Sequence, residues 1–291
     1  MSTPGRVLVR IRHFTDPGCP YAFSAERQRL RLLWLFGDQI AWELRMVGLS
    51  ADARYDRDMG RLAAGFRRLY DRYGMPIDWS ERRYSHATVH ACRAVVAVRL
   101  RWPHAEDAML RHLRVLTMGG MYLDDSDTLE IAAERAGLPV EELAAYAAEP
   151  EVQAALDADM AAARRPSPAA LAQPDRLGGP ADARRYTCPS YEMERVGQPT
   201  DTAPEVPRLD LPGFRPIEAY VAALANLAPD LDRREDPQDV AQVLAWAPYP
   251  LATAEIAAVC EREIPDVRLE LARSGARFEP VAGDGYWSPH R

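Results

Sequence analysis

The chain has 291 residues, of which 47% are apolar and 27% are charged, and its formal net charge at pH 7 is −7. These values are typical of a folded globular protein, and the length suits one large domain with an insertion, or two domains. All 36 basic residues are arginine, and the acidic balance argues against a general nucleic-acid-binding protein, which needs a basic face.

The N-terminal sequence MSTPGRVLVRIRHF has no long apolar segment typical of a secretory signal. No apolar run reaches the roughly 18 residues that span a membrane. We therefore predict a cytoplasmic protein without membrane association. The four cysteines are too few and too widely spaced for a disulfide framework or a paired zinc site, so we expect free thiols and no bound metal. They are Cys19, Cys92, Cys188 and Cys260.

The N-terminal segment predicts a β-α-β unit. Residues 6–14 are rich in valine and isoleucine, which is typical of a strand. Residues 16–18, Asp-Pro-Gly, are a turn signal, and the helix that follows begins at Pro20, a favoured first helical residue, and runs to about Leu35. Residues 40–49 predict a second strand, which should be parallel to the first.

The rest of the chain divides into helical and mixed segments. From about residue 52 to residue 165 the pattern is helical. Residues 186–197 (YTCPSYEMERVG) predict a strand with a proline near its start, and residues 198–213, with four prolines, predict a loop or an edge strand. Residues 215–228 predict an amphipathic helix. Residues 233–291 predict three short helices and a Gly-Asp-Gly hairpin, which together form a winged-helix outline.

The order of these elements resembles the DsbA family of thioredoxin-fold proteins. The matching residues are TDPGCPYAFSAE after the first strand and TCPSYEMERVG before a later helix, with the helical insertion between them. The resemblance covers residues 6–228 and implies an α/β thioredoxin-like fold with an all-helical insertion; the winged-helix-like C-terminal segment lies outside the family pattern. The implied domains are a first thioredoxin-like segment (1–51), the insertion (52–175), a second thioredoxin-like segment (176–230) and the C-terminal domain (231–291).

Cys19 is the candidate nucleophile. A cysteine reacts as its thiolate, and a helix N-terminus offers unpaired N–H groups and partial positive charge to that anion. The alternative is an inert cysteine in a turn. The resemblance implies an active-site turn here, with Pro20, Tyr21 and Ala22 beside the substrate and Tyr21 at the mouth of the site.

Ala22 departs from the family pattern, because a two-cysteine motif would have its second thiol at this position. That second thiol normally releases a mixed disulfide. Three interpretations stay open. The first is a thiol-dependent oxidoreductase with one cysteine in its motif, resolved by glutathione or another small thiol. The second is a glutathione-dependent transferase or isomerase, as in the kappa-class glutathione transferases and the 2-hydroxychromene-2-carboxylate isomerases. The third is a redox-inactive binding protein. In the first two, the partner is a thiol or disulfide substrate, small molecule or protein, and we expect no tightly bound cofactor.

The family resemblance makes Cys188 a second candidate active-site cysteine. It implies that Pro189 is a cis-proline facing Cys19, and that Cys188 packs against the sulfur of Cys19. Cys188 would then replace the missing resolving thiol; the alternative is a small side chain that fills space. His13 lies near the end of the first strand, and a protonated imidazole there would favour the thiolate of Cys19. The alternative for His13 is a strand residue that faces the insertion.

Two further features have weaker functional interpretations. His86 and His90 are four residues apart in a helical segment, near Cys92, and we prefer a capping or interface role for them to metal binding. Residues 233–291 contain seven arginines and ten acidic residues, which disfavours DNA binding. We expect this segment to pack against the main domain or against a second subunit in a homodimer.

Overall fold

The computed structural model describes residues 6–197 and 207–290. Its strands are β1 (Val9–Thr15), β2 (Ile40–Met46), β3 (Leu177–Gly178), β4 (Arg185–Tyr186), β5 (Ser190–Arg195), β6 (Arg208–Leu211), β7 (Leu251–Ala252), β8 (Arg277–Val281) and β9 (Asp284–Ser288). Its helices are α1 (Pro20–Phe36), α2 (Met59–Tyr73), α3 (Val89–Arg101), α4 (Glu106–Met118), α5 (Ser126–Arg135), α6 (Val140–Ala147), α7 (Pro150–Ala163), α8 (Pro168–Leu171), α9 (Ile217–Leu227), α10 (Val240–Trp246), α11 (Thr253–Cys260) and α12 (Ile264–Arg273).

The central sheet has the strand order β2-β1-β5-β6. β1 and β2 are parallel, which confirms the predicted β-α-β unit, and β5 and β6 are each antiparallel to the preceding strand in that order. The connecting helix α1 begins with Pro20 and ends at Phe36 because Gly37 adopts a positive φ of 52° and donates its N–H to the carbonyl of Leu33. The sequence predicts a loop or an edge strand for residues 198–213. Within this range β6 is the edge strand of the central sheet, next to β5. Residues 198–206 lie outside the described residues.

The helical insertion packs on the β2 edge of the sheet. Its central helix α3 owes its position to the apolar run ACRAVVAV, most of which is fully buried. Asp159 on α7 fixes the insertion to the sheet: its carboxylate accepts the N–H of Met46, at the end of β2, and a hydrogen bond from Arg99. The insertion therefore meets the sheet at the end of β1 and β2 where the Asp-Pro-Gly turn begins.

The C-terminal segment packs against the main domain and covers α1. Trp34 of α1 meets Trp246 edge-on, with ring centres 5.3 Å apart, in a core that joins the sheet, α1 and the C-terminal helices. Arg31 of α1 is buried, and its guanidinium donates to the carbonyl of Val259 and to the carboxylate of Glu261. The predicted three helices and hairpin are present, and β7 and β8 both pair with β9. The winged-helix assignment and the domain boundaries stay predictions.

None of the helices in the described segments of the chain is both long and apolar enough to cross a membrane.

Candidate active site

Cys19 lies at the N-terminal end of α1, on the tight turn after β1. Its backbone N–H donates to the carbonyl of Asp16 at 3.2 Å, and its own carbonyl accepts the N–H of Phe23 at 3.0 Å. Cys19 has extended backbone angles, which suits the residue before a proline. Cys19 is buried at this helix end, with 6% of the residue exposed.

The fold brings Cys188 to Cys19, although 169 residues separate them. The Sγ of Cys19 donates to the carbonyl oxygen of Cys188 at 3.4 Å, and both cysteines are free thiols. The Cys188–Pro189 peptide bond is cis, and both residues are buried. Phe14, Ala22, Val47 and Tyr186 belong to the same buried cluster as the two cysteines.

The two thiols differ in how readily they ionise. The pKa of Cys19 is lowered, first by a hydrogen bond from the thiol of Cys188 and then by the N–H groups of Ala22 and Tyr21, which outweigh burial and the negative charge of Asp16. Burial raises the pKa of Cys188 well above its ordinary value, and the contact with Cys19 raises it further. Cys19 therefore ionises first, and the protonated Cys188 stabilises its thiolate.

Asp16 organises the turn beneath Cys19. Its fully buried carboxylate accepts the N–H groups of Gly18 and Leu49, each at 2.8 Å. It also accepts the hydroxyl of Thr88 at 2.9 Å and the thiol of Cys92 at 3.5 Å. Burial is the first cause of the raised pKa of Asp16, and these donors oppose it. In the sequence, an aspartate before Pro-Gly indicates the turn but not its partners from the insertion, so the wider role of Asp16 is visible only in the structure.

The insertion also packs directly on the turn. A Cβ at Gly18 would lie 2.6 Å from Cγ2 of Thr88 and 3.3 Å from Nε2 of His86, so only glycine fits there. His90 does not join His86: it is exposed, and its Nδ1 lies 3.3 Å from the guanidinium of Arg93. Within the described ranges, no group of three or more His, Cys, Asp or Glu side chains forms a metal site.

His13 is not beside Cys19, contrary to the expectation from its position in the sequence. Successive residues of a strand point to opposite faces, and it is Phe14 that joins the Cys19 cluster. His13 is buried on the other face, with its ring against Tyr191 at 4.7 Å and Trp42 at 6.2 Å. Burial, and then the charges of Arg114 and Arg29, lower the pKa of His13 well below its ordinary value. A neutral imidazole on that face cannot stabilise the thiolate of Cys19.

The remaining predicted residues lie around the two thiols at different depths. Tyr21 is 51% exposed, two residues after Cys19 in the first turn of α1. Pro20 is partly exposed, whereas Ala22 is fully buried under the turn. Tyr21 and Pro20 are therefore more accessible than Cys19, and Ala22 contributes its backbone N–H rather than its side chain.

Comparison with known proteins gives a match to one sequence family and several matches to solved structures. A family model described as DSBA-like thioredoxin domain matches residues 10–167. A candidate protein disulfide isomerase from Nitrosomonas europaea superposes with a TM-score of 0.58 at 16% identity, covering 76% of this chain and 98% of the other. The cytosolic disulfide reductase DsbM from Pseudomonas aeruginosa superposes with a TM-score of 0.52 at 16% identity, covering 75% of this chain and 100% of the other. A candidate DsbA oxidoreductase from Streptomyces coelicolor gives a TM-score of 0.52 at 17% identity, covering 79% and 94%. A search of curated proteins finds no match. The expected thioredoxin-like fold with a helical insertion is confirmed.

Proposed function

The chain belongs to the DSBA-like thioredoxin domain family, and on that premise we propose that it is a thiol-disulfide oxidoreductase in which Cys19 attacks the substrate and Cys188 resolves the intermediate. The observation that carries the proposal is the 3.4 Å contact between the Cys19 sulfur and the backbone carbonyl of Cys188, because it brings two free cysteines together at the start of α1. The pKa of Cys19 is lowered and that of Cys188 is raised, which suits Cys19 as the attacking thiol. Cys188 then performs the task that Ala22 cannot.

The proposed reaction reduces a disulfide. The Cys19 thiolate attacks one sulfur of the substrate, the substrate S–S bond breaks, and the other substrate sulfur leaves as a thiolate. Cys188 then loses its proton to that leaving thiolate or to water and attacks the Cys19 sulfur. The Cys19–Cys188 disulfide forms, the second substrate thiol leaves, and the protein has given two electrons to the substrate. An external dithiol reductant returns both cysteines to thiols.

Glutathione as the small co-substrate is the second candidate. Arg185 lies close enough to Cys188 for its positive charge to oppose the rise in the pKa of that thiol. A guanidinium at this position can pair with a carboxylate of glutathione. This supports a route in which glutathione resolves the mixed disulfide on Cys19, and it also suits a transferase or isomerase that positions glutathione beside the turn.

The test is a comparison of single-turnover reduction of 2-hydroxyethyl disulfide by the wild type, Cys19→Ser, Cys188→Ser and the double variant Ala22→Cys/Cys188→Ser. We expect Cys19→Ser to be inactive. We expect Cys188→Ser to stop at a mixed disulfide, and the double variant to complete the turnover because the thiol introduced at position 22 restores the two-cysteine motif. Mass spectrometry after alkylation should show the wild-type product as an internal Cys19–Cys188 disulfide.

Three outcomes separate the alternatives. Complete turnover by Cys188→Ser only when glutathione is added, at the wild-type rate, would support the glutathione route and exclude Cys188 as the resolving thiol. Formation of a thioether between glutathione and an electrophilic substrate would support a transferase. Slow alkylation of Cys19 with no turnover by any variant would leave a binding protein of thioredoxin fold. A cytoplasmic location stays a prediction.

A further inference from the structure

A cavity of about 210 Å³ lies between the helical insertion and the C-terminal segment. One wall is formed by α4 and the residues that follow it, and the opposite wall by the β8–β9 hairpin and the residues before β7. The walls approach each other at Gly119, where a Cβ would lie 3.6 Å from Cγ1 of Val281. Among the described residues that line the cavity there is neither of the active-site thiols nor any member of their buried cluster. The cavity is therefore separate from the candidate active site.

The cavity is large enough for one aromatic ring. Much of its lining is apolar or aromatic, namely Val115, Leu116, Met121, Val281, Tyr249 and Tyr286. An engineered apolar cavity of about 150 Å³ binds benzene. The extra volume here leaves room for a short substituent on the ring. Burial of such a ring against these side chains supplies the apolar part of a binding free energy.

The hydroxyl of Tyr286 is a buried polar group without a hydrogen-bond partner among the described residues. Tyr286 lines the cavity and is only 5% exposed. Buried hydroxyl groups in folded proteins nearly always form a hydrogen bond, because an unpaired one keeps its full desolvation cost. A hydroxyl on the ring of a ligand in the cavity can supply this bond, since a hydroxyl both donates and accepts.

Two unpaired charges of opposite sign lie at the open side of the cavity. Arg135 and Glu279 both line it, and both are exposed. Neither side chain forms an ion pair or a hydrogen bond within the described part of the chain. Because the two do not pair with each other, a ligand that carries both charges can lie between them.

The other charged groups that act on this cavity are paired or neutral. Four carboxylates whose charges act on Tyr249 or Tyr286 each pair with an arginine, namely Glu255 with Arg111, Asp284 with Arg268, Asp107 with Arg29 and Glu26 with Arg114. His112 lines the cavity but is neutral at pH 7, because burial, and then the charges of Arg111 and Arg135, lower its pKa to about 4. The described side chains therefore offer one cation and one anion to a ligand.

We propose that the cavity binds a free aromatic amino acid that carries a hydroxyl on its ring, as tyrosine does. Its carboxylate pairs with Arg135, and its ammonium group pairs with Glu279. Its ring fills the apolar interior, and its hydroxyl completes the hydrogen bonding of Tyr286. A ligand of a single charge leaves Arg135 or Glu279 without a partner, and an apolar ligand leaves both, so the arrangement favours a zwitterion.

This inference goes beyond the proposed redox function and does not depend on it. The ligand contacts both the insertion and the C-terminal segment, so it binds only the folded chain in which these two segments meet. Binding should therefore raise the unfolding temperature of the protein whether or not Cys19 is reactive. An aromatic residue at the end of a peptide has only one of the two charges, which favours the free amino acid over a peptide.

The experiment is isothermal titration calorimetry of the reduced full-length protein at pH 7 with tyrosine and three analogues, each of which lacks one group. 3-(4-Hydroxyphenyl)propionate lacks the ammonium group, tyramine lacks the carboxylate, and phenylalanine lacks the hydroxyl. We expect one tyrosine molecule to bind per chain with a dissociation constant of about 0.1 mM, which is ordinary for a ligand of this size. Each analogue should bind about tenfold more weakly, because it leaves one group of the protein without a partner.

Matched variants assign each preference to one side chain. Glu279→Gln should bind tyrosine and 3-(4-hydroxyphenyl)propionate equally, and Arg135→Gln should bind tyrosine and tyramine equally. Tyr286→Phe should bind tyrosine and phenylalanine equally. Glu134→Gln, which changes an exposed carboxylate next to Arg135 but outside the cavity lining, should keep every wild-type preference. Cys19→Ser should bind tyrosine as the wild type does.

The outcomes keep this inference separate from the proposed function. Absence of binding at about 2 mM tyrosine, or equal affinity of the wild type for tyrosine and its three analogues, would overturn the inference and leave the proposed function standing. Unchanged preferences in both Arg135→Gln and Glu279→Gln would place the ligand elsewhere and would also overturn it. If the wild type binds tyrosine with these preferences but reduces no disulfide, the proposed function fails and the inference stands.

Discussion

The Sγ of Cys19 lies 3.4 Å from the backbone carbonyl oxygen of Cys188, so the side chain of the first cysteine contacts the backbone of the second. As a thiol, Cys19 donates to that carbonyl. As a thiolate, it accepts from the Cys188 thiol and from the N–H groups at the start of α1. Cys188 is therefore the first cause of the lowered pKa of Cys19, in addition to its proposed role in resolving the intermediate.

Cys188→Ala should raise the pKa of Cys19, because it removes the hydrogen bond that is the first cause of the lowered value. Cys188→Ser should keep the pKa of Cys19 closer to that of the wild type, since a hydroxyl still donates. The measurement is the pH dependence of iodoacetamide alkylation at Cys19, assigned by peptide mapping. Equal pKa values of Cys19 in the wild type and in Cys188→Ala would show that the helix N–H groups alone stabilise the thiolate.

Asp16→Asn should destabilise the turn and make Cys19 more acidic. One amide oxygen cannot accept from all the groups that now donate to the carboxylate, and each buried donor left unpaired costs about 1–3 kcal/mol. Loss of the negative charge also removes a cause that raises the pKa of Cys19. Urea unfolding and the alkylation profile of Cys19 measure the two effects separately.

Thr88→Val is the matched control for Asp16→Asn, because it removes one donor and keeps the carboxylate. It should lower the free energy of unfolding less than Asp16→Asn does, with the pKa of Cys19 unchanged. If both variants shift that pKa equally, the shift comes from movement of the turn rather than from the charge of Asp16.

The sequence alone predicts the part of the site that is contiguous in the chain, namely the turn and the helix start at residues 16–20. Asp-Pro-Gly followed by Cys-Pro indicates a turn at a helix start, and this local signal places Cys19 correctly. The partnership with Cys188 depends on pairing between β1 and β5, which are far apart in sequence, and only the family resemblance suggests it. The expected place of His13 beside Cys19 is wrong, because that expectation used only the closeness of His13 to the turn in sequence. His13 continues the alternation of Val9 and Ile11, which puts it on the face opposite Phe14.

The buried polar residues of α1 cannot be predicted from the helix alone. Glu26, Arg29 and Arg31 would ordinarily indicate a solvent-facing side, yet all three are buried. The C-terminal segment covers Arg31, while Arg114 of the insertion pairs with Glu26. Charge pairs of this kind become visible only when the elements that supply the partners are placed in three dimensions.

The ion pair between Arg111 and Glu255 joins the insertion to the C-terminal segment. Removing one partner should lower the free energy of unfolding more than removing both. Both side chains are buried, and Arg111 donates to Glu255 at 2.8 Å through Nη2 and through a second, shorter contact. Arg111→Met should lower the free energy of unfolding by about 3–5 kcal/mol, because it leaves a buried carboxylate unpaired. The double variant Arg111→Met/Glu255→Gln should be more stable than Arg111→Met alone, and a urea-unfolding cycle tests this. Additive losses in the cycle would mean that the two residues do not act as a pair.

Stability should fall as the pH is lowered from 7 to 5, and His13 should account for a share of the loss. The folded state keeps His13 neutral because its pKa is well below 6.5, whereas the unfolded chain takes up a proton near that pH. The unfolded state then binds more protons, so the stabilisation is present above about pH 6.5 and is lost as the pH falls toward the folded pKa. His13→Phe keeps an aromatic ring between Trp42 and Tyr191 and should reduce the difference in unfolding free energy between pH 7 and pH 5 by about 1–2 kcal/mol. The exposed His90→Gln variant is the control and should retain the wild-type difference. An unchanged difference in His13→Phe would show that His13 takes up its proton in the folded state as readily as in the unfolded chain.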